Sequence, residues 1–138
     1  MQSTIMEMEN RLFAVATNST SNTINGYRNR FMVKRGQQLF SLHVSEIVFF
    51  YSKEKVTFVR TTDNREFVVP FTIEQVSRMI CPAAFFRVSR KHVISHHAIG
   101  RVLLWFNGKI KLEIKAAVTE EVIISRDRVP DFRVWMGE

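Results

Sequence analysis

The stretch Ile47-Val48-Phe49-Phe50-Tyr51-Ser52-Lys53-Glu54-Lys55-Val56-Thr57-Phe58-Val59 decides the fold. Its two ends are rich in β-branched and aromatic residues, which favour strands, and the four residues between them, Ser52 to Lys55, suit a hairpin loop. Strand character extends outward on both sides. It begins at Phe31 and resumes after a turn at Thr62-Asp63-Asn64-Arg65, in Glu66-Phe67-Val68-Val69. A helix then interrupts it. Thr72 is placed to cap that helix, Gln75 completes a capping box, and Ile73, Val76, Met79 and Ile80 form a buried stripe that Pro82 ends. Asn107-Gly108 marks a second hairpin, because both central residues of a type I′ turn need positive φ. A two-residue turn there sets Leu103 opposite Leu112 and Trp105 opposite Ile110 on the core face, with Leu104, Phe106, Lys109, Lys111 and Glu113 on the other. The last element starts near Ser125 and carries Val129, Phe132 and Trp135 or Met136 at helical spacing, with Pro130 in its first turn. These elements predict a mainly β domain with one or two short helices.

The first thirty residues read as an appendage to that domain. Ile5, Met8, Leu12 and Val15 or Ala16 recur at helical spacing and predict a short amphipathic helix over 1–16. A lone helix of that length is marginal in water, so it is expected to dock on the main domain, on a second copy, or on a domain outside this chain. Residues 17–30 are polar and read as a linker, which leaves 31–138 as the folded domain.

The chain has 138 residues, 46% of them apolar, enough for one domain with a core. Its net charge is +7, which points to a polyanionic partner: nucleic acid, an anionic membrane or an acidic protein. The charge is uneven. No Asp or Glu occurs between Glu74 and Glu113, a stretch that holds Arg78, Arg87, Arg90, Lys91, Arg101, Lys109 and Lys111. A merely solvated surface intersperses the two signs, whereas a stretch of one sign answers a partner's field. The single cysteine, Cys81, excludes a disulfide framework and a multi-cysteine metal site, and fits a reducing, cytoplasmic setting. Neither a secretory signal nor an apolar run of membrane-spanning length is evident.

The segment Phe85-Phe86-Arg87-Val88-Ser89-Arg90-Lys91-His92-Val93-Ile94-Ser95-His96-His97 carries the most chemistry. Arginine grips phosphate bidentately or reads guanine in a major groove, and serine and backbone N–H groups hold neighbouring phosphates. Against this, Arg87 suits a structural ion pair and Arg90-Lys91 a solvated loop. Enzymatic chemistry finds little support. His43, His92, His96 and His97 lack nearby carboxylates and sit beside strand-like residues, which disfavours a metal site. Cys81, between Ile80 and Pro82, reads as a buried helix-end residue. Glycine-rich phosphate loops are missing, and the adjacent Glu120 and Glu121 would fall on opposite faces of a strand. The phenylalanines read mostly as core, so a single-strand or RNA platform ranks below duplex binding. No recognition helix stands out, since Ile73–Ile80 carries one base, Arg78; loops between strands would have to grip nucleic acid. The competing reading is a β-rich basic module that binds an acidic protein partner.

Phe86-Arg87-Val88-Ser89-Arg90-Lys91-His92-Val93-Ile94-Ser95 resembles the F-x-R-x-H-R-S-x-x-V-N signature of LytTR DNA-binding domains. Ser45 to Tyr51 resembles that family's x-D-I-x-Y-I-E strand, Phe71 to Val76 its S-L-x-x-L-E helix, and Ile124-Ser125-Arg126 with Phe132 and Trp135 its V-S-R ending. Phe106-Asn107-Gly108-Lys109 is similar to the hairpin of the Bacteroidetes-type response-regulator branch. The pieces follow the family's order over about Phe31 to Met136. The resemblance implies an elongated arrangement of small antiparallel sheets whose loops enter successive major grooves of double-stranded DNA. It implies DNA contacts from Lys53 and Lys55, from Ser89, Arg90 and Lys91, and from Arg126, beside the Arg87 that the segment itself singles out. The chain departs from the signature where Ser89 replaces its His, Lys91 its Ser and Ser95 its Asn. It further implies a transcriptional regulator without enzymatic activity or cofactor. Family members usually carry an N-terminal receiver domain, so the chain is expected to be either a stand-alone regulator or the effector part of a longer two-component protein, with residues 1–26 as the end of a receiver helix plus linker; the polar linker favours the second. Two copies are expected on paired operator sites.

Overall fold

The computed structural model describes residues 23–115 and 121–138. The helix expected over 1–16, the linker residues 17–22 and Glu120 lie outside them. The strands are β1 (Thr23–Ile24), β2 (Tyr27–Arg28), β3 (Arg30–Arg35), β4 (Gln38–His43), β5 (Ile47–Lys53), β6 (Val56–Thr61) and β7 (Glu66–Val69), then, after helix α1 (Ile73–Met79), β8 (Phe85–Ser89), β9 (His92–Ser95), β10 (Ile99–Leu104), β11 (Ile110–Ile114) and β12 (Glu121–Ile124). Helix α2 (Val129–Met136) closes the chain. Seven strands form one antiparallel sheet in the order β4-β3-β7-β6-β5-β9-β8, and β10-β11-β12 form a second. The architecture is thus the mainly β one expected, with two short helices.

Ile47, Val48, Phe49 and Phe50 are all buried, because β5 has a core on each face. Ile47 and Phe50 join Phe31, Val59, Phe67 and α1 on one side. Val48 and Phe49 join Ile94, Leu112, Ile124 and Phe132 on the other. A register irregularity between Ile47 and Phe49 lets two consecutive side chains enter the second core. Neighbouring strands divide in the same way: Phe85 and Val93 serve the first core, Phe86 and Ile94 the second.

The capping box forms as expected. Thr72 Oγ1 accepts from the Gln75 N–H at 3.1 Å, and Gln75 Oε1 accepts from the Thr72 N–H at 2.9 Å. In α2, Pro130 occupies the first turn, Phe132 is buried, and the Trp135 indole N–H donates to the Pro82 carbonyl at 2.8 Å. That bond ties the C-terminal helix to the segment after α1.

Four local expectations need correction. Lys53 pairs with Val56, so the loop expected over Ser52–Lys55 shrinks to Glu54-Lys55, both at positive φ (51° and 68°). At the second hairpin Asn107 and Gly108 do take positive φ, and Lys109 N–H closes the turn on the Phe106 carbonyl at 3.1 Å. The ladder then resumes from Trp105 N–H to the Lys109 carbonyl at 2.9 Å, so Leu104 faces Ile110 and Val102 faces Leu112. One residue of slip exchanges the faces: Ile110 and Leu112 are core as expected, but their partners are not Trp105 and Leu103. Residues 23–30, read as linker, form the β1–β2 hairpin and the start of β3; its turn is Asn25-Gly26, the dipeptide recognised at Asn107-Gly108. Cys81 is half-buried rather than buried, since the chain turns outward after Ile80.

Because Phe49 is 1% exposed and packs in the core that attaches the small sheet and α2, Phe49→Ala is expected to cost about 3–5 kcal/mol in urea unfolding.

Candidate nucleic-acid interface

β5 runs antiparallel to β9, so the turn leaving β5 lies beside the turn entering β9. Tyr51 pairs with His92, and the Ser52 N–H donates to the Lys91 carbonyl at 2.9 Å. That bond makes the turn Lys53-Glu54-Lys55 and the turn Ser89-Arg90-Lys91 neighbours at one end of the large sheet. Lys53, Lys55, Ser89, Arg90 and Lys91 are all exposed there.

Arg87 holds the second turn from within. Its Nη1 meets Glu74 Oε1 at 2.9 Å, its Nε donates to the Ser89 carbonyl at 3.2 Å, and its Nη2 donates to the Arg90 carbonyl at 2.9 Å. Those contacts engage all three nitrogens of the guanidinium with the fold, and the residue is half-buried. Ser89 Oγ accepts from the Lys91 N–H at 3.2 Å, a serine turn that leaves the Arg90 side chain at the apex. His92 closes the hairpin beneath, its ring 4.9 Å from that of Phe49. Burial pushes its pKa down from 6.5 to about 4, so it is neutral at pH 7 and adds no charge to the turn.

Arg126 is exposed in a short 3-10 turn between β12 and α2. Two residues on, Arg128 donates to the Arg87 carbonyl, and its guanidinium lies 5.5 Å from the Phe86 ring centre. The Arg126 stem lies along Gly108, where a Cβ would come within 3.1 Å of Arg126 Cδ. The third basic turn is therefore fastened both to β8, the strand that feeds the second turn, and to the tip of the β10–β11 hairpin.

Acidic partners are spent elsewhere. Glu66, Asp63, Glu113, Glu121 and Glu138 pair with Arg60, Arg65, Arg101, Lys111 and Arg133. Among the described residues, no carboxylate is in ion-pair contact with Lys53, Lys55, Arg90, Lys91 or Arg126. Glu54 and Asp127 are the acids within these turns, and the five cations outnumber them. Nor do three His, Cys, Asp or Glu side chains gather to hold a metal among the described residues. Of the described helices, none is long and apolar enough to cross a membrane. Sequence reasoning missed Glu74 and Arg128, whose partners lie 13 and 41 residues away along the chain, beyond any local pattern.

Two expectations follow. An L-residue in the left-handed region costs roughly 1–2 kcal/mol, so replacing Glu54-Lys55 by Asn-Gly should raise the melting temperature while removing one exposed ammonium. His92 binds its proton more weakly in the folded state. Unfolded chains therefore take up the proton first, and this contribution to stability is complete above about pH 6.5 and lost as pH falls toward 4. Urea midpoints measured at pH 7 and pH 4.5 should converge in His92→Phe relative to wild type.

Residues 37–137 match the family described as the LytTr DNA-binding domain. The fold is similar to the LytTr DNA-binding domain of a protein described as a methyl-accepting/DNA response regulator from Bacillus cereus, with a TM-score of 0.72 at 15% identity over 80% of this chain and 99% of that one. No curated protein matches the sequence. With the family's profile spanning most of its length, the chain belongs to the LytTR family of DNA-binding, non-catalytic domains that serve transcription regulation.

Proposed function

We propose that the chain is the sequence-specific, double-stranded-DNA-binding effector of a bacterial response regulator, and that its basic turns enter successive major grooves. One observation carries this reading: the Ser52–Lys91 bond joins two exposed turns whose cations lack acidic partners among the described residues. Arg90, at the apex of the second turn, reads a base edge, for which a guanidinium offers two parallel donors to guanine O6 and N7. Lys53, Lys55 and Lys91 neutralise phosphates, and Ser89 shapes the turn and borders the backbone. Arg126 reaches the duplex from the third turn. Arg87 is a positioning residue, because its donors already hold Glu74 and the turn's carbonyls.

The regulator belongs in the cytoplasm, receives its signal from a receiver domain outside this chain in a phosphorelay, and occupies paired operator sites as two copies. The Phe106–Lys109 hairpin supports a place in the Bacteroidetes-type branch. A basic module for an acidic protein shares the charge but has no use for a base-reading arginine.

The test is selection from a random duplex library with the purified protein, followed by titration of the selected site. A discrete motif is expected; featureless enrichment sinks the sequence-specific reading. On the selected site Arg90→Ala should cost ~1–3 kcal/mol and relax one position. Lys55→Ala should weaken all sequences alike and reduce the slope of log K against log salt by about 0.9.

A further inference from the structure

Phe106 stands apart from the other phenylalanines. It is 70% exposed, whereas every other described phenylalanine is buried or half-buried. It sits at the tip of the β10–β11 hairpin with its ring held edge-on to Trp105, centres 4.8 Å apart, and Lys111 braces Trp105 from 4.2 Å. The tip is a built feature. Asn107 and Gly108 hold left-handed backbone, and Gly108 leaves room for the Arg126 stem to lie against it. Lys109 follows, exposed and without a carboxylate in contact among the described residues, since Glu113 and Glu121 are taken by Arg101 and Lys111. An exposed aromatic ring is thus flanked by two uncompensated cations, one of which the interface above already uses.

That combination fits a polyanion with apolar sugar faces better than a protein groove, whose centre is depleted in charge. We propose that the hairpin tip is a further DNA-contacting element: Phe106 packs on deoxyribose at the groove edge beside the segment Arg126 reaches, and Lys109 neutralises the adjoining phosphate. This rests on the DNA-binding reading, because the tip shares its duplex with Arg126. The tip differs from the other turns in carrying an aromatic side chain, so it should favour flanks whose groove opens to admit one.

The experiment is a hydroxyl-radical footprint and a salt titration on the selected duplex, with wild type, Phe106→Ser, Lys109→Ser and Arg90→Ala. Phe106→Ser should weaken binding by about tenfold and lose protection at one flank only, with an unchanged melting temperature because the ring is exposed. Lys109→Ser should lower the salt slope by about 0.9. Unchanged affinity and footprint in both hairpin variants, alongside a weakened Arg90→Ala, overturn the inference and leave the DNA-binding reading standing. The same holds if Phe106→Ser alters only self-association, which assigns the tip to protein contact. A wild type that binds no duplex overturns the underlying reading itself.

Discussion

Strands β5, β8 and β9 are buried on both faces, and the rest of the molecule is arranged around that fact. Their side chains alternate between two cores, one closed by α1 and the outer strands, the other by the small sheet and α2. A strand covered on both sides cannot slip in register without moving a large apolar side chain into the wrong core. The β5–β9 pairing is therefore rigid, and it is this pairing that sets two basic turns side by side. Position of charge, in this protein, follows from packing of phenylalanine and branched aliphatic residues.

The turns are held from beneath by groups that need not touch a ligand. Arg87 uses its guanidinium on Glu74 and on two carbonyls of the turn it supports, and Arg128 anchors the third turn to the same strand. Such pairs contribute little to stability when half-exposed, but they fix the direction in which a neighbouring side chain leaves the surface. A turn organised in this way presents its apex cation with less entropy left to lose on binding. The backbone strain at Glu54 and Lys55 has the same sense. Easier turn residues exist, and they would remove the lysine.

Charge balance explains why these cations are available. Five of the ten described acids are engaged with arginines and a lysine on other surfaces, where the pairs neutralise the field locally. Lys53, Lys55, Arg90, Lys91 and Arg126, on the turns at the end of the large sheet and on the 3-10 turn fastened to it, are left without a carboxylate in contact among the described residues. A field of one sign on a rigid surface favours association with a polyanion and makes that association sensitive to salt.

Much of this was legible in the residues. The strand runs, the capping box at Thr72 and Gln75, the Pro130 start of α2 and the positive-φ character of Asn107-Gly108 are local signals with local causes, and the acid-free stretch from Gln75 to Leu112 is visible by inspection. The motif order pointed to the family that the profile match established. The hairpin of Thr23 to Arg28 was also legible, from Asn25-Gly26, but its polar neighbours masked it. Other features had no local signal. The one-residue slip at Trp105 depends on which faces of Ile110 and Leu112 the second core demands, and the inward commitment of Arg87 depends on Glu74, which α1 brings to it across the fold. Chain-local chemistry determined the elements and the sign of their charge; contacts between residues distant in sequence decided which cations are braces and which are free, because only packing brings the competing carboxylates and carbonyls within reach.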